Sequence, residues 1–177
     1  MTSLETSRLR IRRFSAEDWA DLLDISRSKA ASPFAHTDIP WSTTEEWARE
    51  SAAYMATDSD MWAIELKTEN RVICFVNFNG MNAEGYMDIG HVMNLAYAGQ
   101  GYEEEGLSIL YQYVFSATNA VGITATWALD DKEKISPLLS MGMKIVDQGI
   151  SNAFDGSDRK FTHCILKIAK DDWHSIS

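Results

Sequence analysis

Cysteine is scarce in this sequence, and no apolar run is long. The chain of 177 residues has two cysteines, Cys74 and Cys164, which lie far apart and form neither a CxxC pair nor a Cys/His pattern. This spacing argues against a disulfide framework and a structural zinc site, so we expect two buried thiols in a reducing compartment and no bound metal. No apolar stretch reaches about 18 residues and no apolar segment follows the N-terminus, which predicts a cytoplasmic protein without membrane contact.

Positive charge is also in deficit. Asp and Glu number 26 against 16 Lys and Arg, which gives a formal net charge of -10. This balance disfavours binding along a nucleic-acid backbone or on an anionic membrane surface, and it suits a neutral or cationic partner. The length is near that of one ordinary domain, and 45% hydrophobic residues are enough to close a core without cross-links. Residues 1–177 are therefore predicted to form a single domain.

Strand-like and helix-like patterns alternate along the chain. Strand patterns are found in residues 8–14, 62–66, 72–78, 86–95, 123–129, 144–151 and 160–169. Helices are predicted after a capping box at Ser15, near Ser42 and after Gly101. A further helical piece covers residues 131–141, and Pro137 either divides it or occupies its first turn behind an N-cap at Ser136.

The middle of the chain is predicted to form a crossover unit. A strand over residues 86–95, a glycine turn, an amphipathic helix and a second strand follow each other, which makes the two strands parallel. We expect these strands to diverge near Leu95. The turn Gly99-Gln100-Gly101 precedes the helix, where free N–H groups and the helix dipole favour a phosphate. Short glycine turns are common, so the turn alone does not identify a ligand.

Two longer segments carry a family resemblance. The opening TSRLRIRRF with AEDWADLL, and the central DIGHVMNLAYAGQGYEEEGL, resemble the GNAT N-acetyltransferase superfamily and, within it, the branch that acetylates ribosomal-protein N-termini. The likeness extends from about Thr6 to Lys167. It implies an α/β GNAT fold, a mixed twisted sheet of six or seven strands with helices on both faces. It also implies acetyl-CoA or another acyl-CoA as co-substrate and a primary amine of a small molecule or peptide as acceptor. A homodimer is compatible with the sequence.

The same resemblance implies where the donor and acceptor bind. The acyl-CoA would lie in a splayed gap between the two parallel strands, with its pyrophosphate on the glycine turn. The implied donor-binding residues are Met93, Asn94, Leu95, Gly99, Gln100, Gly101, Tyr102, Glu103 and Asp131. Asp88 stands where the branch often has an acidic residue, so it is either the catalytic base or a solvated strand carboxylate. His91 stands where an aromatic residue is usual, and it is either a core or hydrogen-bonded residue or a base. Phe34 and Trp41 either line an acceptor groove, pack in the core or form a contact surface.

The donor site departs from the family pattern. Ala98 stands where an Arg, Gln or aromatic residue is usual, Glu103 replaces a small residue, and Asp131 replaces an Asn. A carboxylate about 6 Å from a phosphate charge costs about 3 kcal/mol at an effective dielectric of 20. Alternatively, the acids at the start of the helix complement its dipole. Lys134 replaces a Ser, and the short helix has no tyrosine to protonate the leaving thiolate. The thiolate then leaves without a dedicated acid, or Ser140 or a water serves as the acid.

The sequence therefore leaves three functions open, of which the last is a structural or oligomerising role with Phe34, Trp41 and Trp47 as a contact surface. The first is N-acyl transfer from acyl-CoA to a primary amine. The alternative is a GNAT-fold protein with a degenerate donor site that binds acyl-CoA weakly or not at all and acts as a binding or regulatory module.

Overall fold

The computed structural model of the protein describes residues 3–174. Its α-helices are α1 (Trp19–Ala31), α2 (Glu45–Met55), α3 (Tyr102–Ala117) and α4 (Lys132–Ser140). Its strands are β1 (Leu4–Glu5), β2 (Leu9–Arg13), β3 (Met61–Leu66), β4 (Arg71–Met81), β5 (Tyr86–Met93), β6 (Gly122–Ala128), β7 (Lys144–Asn152) and β8 (Lys160–Ala169).

The described strands form one sheet in the order β1-β2-β3-β4-β5-β6-β8-β7. Neighbouring strands are antiparallel except β5 and β6, which are parallel because α3 returns the chain across the sheet between them. The predicted mixed α/β sheet is therefore confirmed. It has eight strands, where the sequence indicated six or seven, because β1 has only two residues and is too short to show an alternating pattern.

Helices cover both faces of this sheet, as predicted. Successive residues of a strand point to opposite faces. In β3, Trp62 and Ile64 join the apolar core beneath α3 and α4, whereas Ala63 joins a second core beneath α1 and α2. Burial of these two apolar layers is the main driving force for the fold.

Local signals account for most of the helix starts. The capping box at Ser15 forms with Asp18, and the Thr44 hydroxyl accepts from the Trp47 N–H at the start of α2. Helix α4 differs from both predicted alternatives, since it is continuous from Lys132 with Pro137 inside it. Asp131 caps this helix by accepting from the Lys134 N–H, and a proline in the sixth helical position removes only one backbone hydrogen bond.

The two cysteines are free and buried, as expected. Between residues 3 and 174, no helix has the length and apolar composition needed to cross a membrane. The same residues bring together no group of three or more His, Cys, Asp or Glu side chains suited to a metal ion.

Candidate active site

A gap opens in the sheet between β5 and β6. Their parallel pairing ends at Asp88 and Thr124. Beyond this pair, β5 stays on β4 as far as Met93, and β6 stays on β8 as far as Ala128. The strands therefore separate well before Leu95, where the sequence pattern placed the divergence, because each strand follows its antiparallel neighbour.

The glycine turn leads into α3 beside this gap. Gly99 and Gly101 have φ angles of 71° and 78°, a left-handed conformation that glycine adopts without strain. Helix α3 begins at Tyr102 without a side-chain cap. Its first N–H groups therefore have the arrangement that receives an anion in other proteins.

Arg8 brings a positive charge to the outside of the turn. Its guanidinium donates to the Gln100 carbonyl at 3.0 Å and to the Glu105 carboxylate at 2.6 Å, and it lies 4.4 Å above the Tyr102 ring centre. Burial by itself raises the pKa of Glu105, but hydrogen bonds from Thr6 and Arg8 outweigh it and lower that pKa below its ordinary value. Glu105 is thus compensated and does not compete for an anion.

Glu103 follows the same turn, and its side chain is buried beside β5. The residue is 5% exposed, and its carboxylate hydrogen-bonds to His91 Nε2, whose residue is 2% exposed. The His91 ring packs edge-on against Trp127 with 5.1 Å between ring centres, and Lys134 Nζ lies 3.8 Å from the centre of the Trp127 ring. These four side chains, Glu103, His91, Trp127 and Lys134, link α3, β5, β6 and α4, and we call them the gap cluster.

Burial shifts the pKa values of two charged groups in and beside this cluster. Removal from water lowers the pKa of Lys134, against the opposing effect of the Asp38 and Asp131 carboxylates. Burial likewise raises the pKa of Asp131, and the nearby Lys134 offsets part of this shift. Lys134 therefore lies next to the acids that replace the family's small and amide residues, and their carboxylates favour its charged form while burial disfavours it. The indole N–H of Trp127 is buried and has no acceptor among the described residues.

Little space remains where a pantetheine arm is expected. The cavity lined by Met93, Leu95, Asp131 and Phe34 has a volume of about 40 Å³, which we call the narrow cavity. A water molecule occupies about 30 Å³ in the liquid. The narrow cavity alone is therefore too small for the arm of a coenzyme A.

Two of the backbone N–H groups expected to bind the pantetheine arm already form hydrogen bonds within the protein. The Asn94 N–H donates to the Ile73 carbonyl at 2.9 Å, and the Leu95 N–H donates to the Ser28 hydroxyl at 2.8 Å. Only a rearrangement of these contacts would free both groups for a ligand.

A second cavity, of about 450 Å³, opens on the face of the sheet that carries α1 and α2. We call it the aromatic cavity. Its wall includes Asp38, Trp41, Trp47, Phe75, Asp88, His91 and Trp127. The structure thus brings Asp88 and Trp41 together, whereas Phe34 lines the narrow cavity.

Asp88 is the last residue of β5 that pairs with β6, and the gap opens directly after it. It is half-buried, and burial raises the pKa of its carboxyl, although a hydrogen bond with Asn79 opposes the shift. Among the described residues, no Lys, Arg or His lies within ion-pair distance of it. A carboxylate in this setting binds or deprotonates a cationic group more readily than a paired one does.

The sequence did not predict the gap cluster. His91 in the place of an aromatic residue and Glu103 in the place of a small one are two departures that form one hydrogen bond between β5 and α3. The presence of both unusual residues in one sequence is the signal from which a contact between His91 and Glu103 could have been predicted. Ser140, considered as an acid, donates to the Pro137 carbonyl and lines a third cavity beside Arg8 and Glu104, away from Asp88.

Solved structures with this fold come from several bacteria. A GNAT-family acetyltransferase from Bacillus anthracis superimposes with a TM-score of 0.80 at 19% identity, covering 96% of this chain and 99% of that one. A ribosomal-protein-S5-alanine acetyltransferase from Vibrio fischeri gives 0.78 at 15% identity, covering 98% and 100%. A microcin C7 self-immunity acetyltransferase, solved with acetyl-CoA and AMP, gives 0.75 at 14% identity, covering 93% of each chain.

At these identities the structural likeness establishes the fold alone. A search of curated proteins finds no significant match. A family model described as an acetyltransferase (GNAT) domain matches residues 8–144. Since that match spans well over half of the sequence and includes the gap, the glycine turn and Asp88, the chain belongs to the GNAT acetyltransferase family.

Proposed function

We propose that the protein is an N-acyltransferase that moves an acetyl or other acyl group from acyl-CoA to a primary amine of a small molecule or peptide. Membership of the acetyltransferase family supports the reaction class. The observation that carries the proposal is the position of Asp88, an uncompensated carboxylate in a cavity that reaches the opening between β5 and β6.

Asp88 is the residue proposed as base. An amine attacks only after its ammonium form loses a proton, and a carboxylate whose pKa is raised by burial is a better proton acceptor than an exposed one. Acyl-CoA supplies the activated acyl group when bound. Trp41 is proposed to hold the acceptor beside Asp88.

Donor binding in this proposal requires the gap cluster to rearrange. The glycine turn, from Gly99 to Tyr102, keeps the backbone geometry of an anion site. Glu103 and Lys134 must leave the gap before a pantetheine arm enters beside Met93. The proposal therefore includes a slow or weak donor-binding step.

Incubation with acetyl-CoA and a panel of primary amines tests this function. Acyl transfer is followed as release of free thiol, and the acetylated product is identified by mass spectrometry. Asp88→Asn is expected to lower the rate by about a hundredfold or more with donor affinity little changed. Glu50→Gln, which removes one charge from an exposed position of α2, is the matched control. Full activity of Asp88→Asn excludes Asp88 as the base.

A specific observation favours a second function. The gap cluster and the narrow cavity of about 40 Å³ leave little room for acyl-CoA along the proposed donor path. This is the arrangement expected of a GNAT-fold binding or regulatory module that has lost acyl-CoA. The thiol-release assay combined with calorimetric titration of acetyl-CoA separates the two functions, because the module releases no thiol with any amine, whether it binds the coenzyme weakly or not at all.

A further inference from the structure

The charged side chains that line the aromatic cavity are acidic. Asp38 and Asp88 line it, and no Lys or Arg is among its lining residues. The two carboxylates are not equivalent, because Asp38 is paired with Lys29 at 2.6 Å. Asp88 has no such partner in the described chain, so the cavity retains one uncompensated negative charge.

Aromatic rings form another part of the wall of this cavity. Trp41 lies 5.6 Å from Trp47 and 5.3 Å from Phe75, measured between ring centres, and the second contact is edge-on. Aromatic faces attract ammonium groups, most strongly where water is excluded. Two lysines outside the cavity already use this property, since Lys29 Nζ lies 5.2 Å from the Trp41 ring centre and Lys134 Nζ contacts Trp127.

The size of the cavity limits its ligand. Its volume of about 450 Å³ is at the small end of the range for small-molecule sites, which extends from about 300 to 1,000 Å³. Met55 and Met61 add further apolar surface to the wall. A flat apolar body fits this lining. A phosphate or carboxylate group on the ligand would be repelled by the Asp88 carboxylate.

We infer that the aromatic cavity binds a small organic ammonium ion with a flat apolar body, whose ammonium group pairs with Asp88. As a statement about the acceptor, this inference rests on the proposed function, which it narrows to aryl or similarly flat primary amines. As a statement about binding it is tested without any acyl transfer.

Three probes of similar shape and different charge provide the test. Binding of 2-phenylethylamine, 2-phenylethanol and 3-phenylpropionate is measured by calorimetry at pH 7, with and without acetyl-CoA. The amine is expected to bind at least about tenfold more tightly than the alcohol, and the carboxylate is expected not to bind. Asp88→Asn should weaken amine binding by about tenfold or more, whereas Glu50→Gln should leave it unchanged.

Folding of each variant is checked by circular dichroism, and Asp88→Glu, which keeps the charge, should retain most of the affinity. Equal binding of the alcohol and the amine, or amine binding that is unaffected in a folded Asp88→Asn variant, overturns the inference. Amine binding without acetylated product, at saturating acetyl-CoA, supports the cation site and refutes the transferase. Acetylation of other amines together with no binding of 2-phenylethylamine supports the transferase and refutes the cation site.

Discussion

Replacing Glu103 with alanine tests whether the gap cluster keeps acyl-CoA out. The substitution removes the carboxylate of a residue that is 5% exposed and hydrogen-bonded to His91 of β5. A unit charge about 6 Å from a phosphate costs about 3 kcal/mol at an effective dielectric of 20, which corresponds to about a hundredfold in affinity. Lys134 offsets part of this charge, so we expect Glu103→Ala to raise acetyl-CoA affinity by about ten- to a hundredfold.

The same substitution should destabilise the protein. His91 would lose its partner while remaining buried, and an unsatisfied buried polar group costs about 1–3 kcal/mol. We therefore expect the free energy of unfolding to fall by about that amount in chemical denaturation. Tighter donor binding together with lower stability is the combination that identifies a residue held in a ligand's place.

Calorimetric titration with acetyl-CoA at low and moderate salt measures the affinity. Glu104→Ala is the control, since it removes the same charge from the same helical turn at a position that lines the third cavity. Glu103→Gln keeps the bulk and removes the charge, which separates steric from electrostatic exclusion. Because the Glu103 carboxylate is buried, the gain should depend only weakly on salt. A folded Glu103→Ala variant that binds acetyl-CoA no better than the unmodified protein refutes the reasoning.

Two further predictions concern stability. Burial raises the pKa of Asp88, so its ionised form is disfavoured in the folded state, and Asp88→Asn should raise the unfolding temperature at neutral pH. The difference should shrink as the pH falls through the raised pKa and vanish below the ordinary aspartate value of 3.8; a difference that persists at lower pH contradicts this origin. Gly101→Ala forces a side chain into φ 78° at 3.3 Å from Arg8, and should lower the free energy of unfolding by about 1–2 kcal/mol in urea titrations. An unchanged urea midpoint would show that the turn relaxes without cost.

Periodicity made most of the fold predictable. Alternating residues predicted the strands from Leu9 onward, and capping residues predicted the starts of α1 and α2, because both signals are local. The short strand β1 was missed because two residues carry no period. The continuity of α4 through Pro137 was missed because the Asp131 cap and tertiary packing outweigh one lost hydrogen bond.

The site was less predictable, because its contacts join distant parts of the chain. The resemblance indicated Asp88 and the glycine turn, which lie in one continuous motif. It did not predict the hydrogen bond between Glu103 and His91 or the contact of Lys134 with the Trp127 ring. Each of these pairs depends on how α3 and α4 pack against the separated strands. Single-residue departures were visible in the sequence, but their mutual compensation appears only in three dimensions.

The short parallel pairing of β5 and β6 has a mechanical consequence. The sheet consists of two antiparallel ladders, β1 to β5 on one side and β6, β8 and β7 on the other, and they share backbone hydrogen bonds only up to Asp88 and Thr124. Each ladder is therefore able to open locally with little loss of hydrogen bonding in the other, and their amide protons should exchange with solvent at different rates. A molecule that binds across the gap and contacts both strands would couple the two ladders and slow their exchange together.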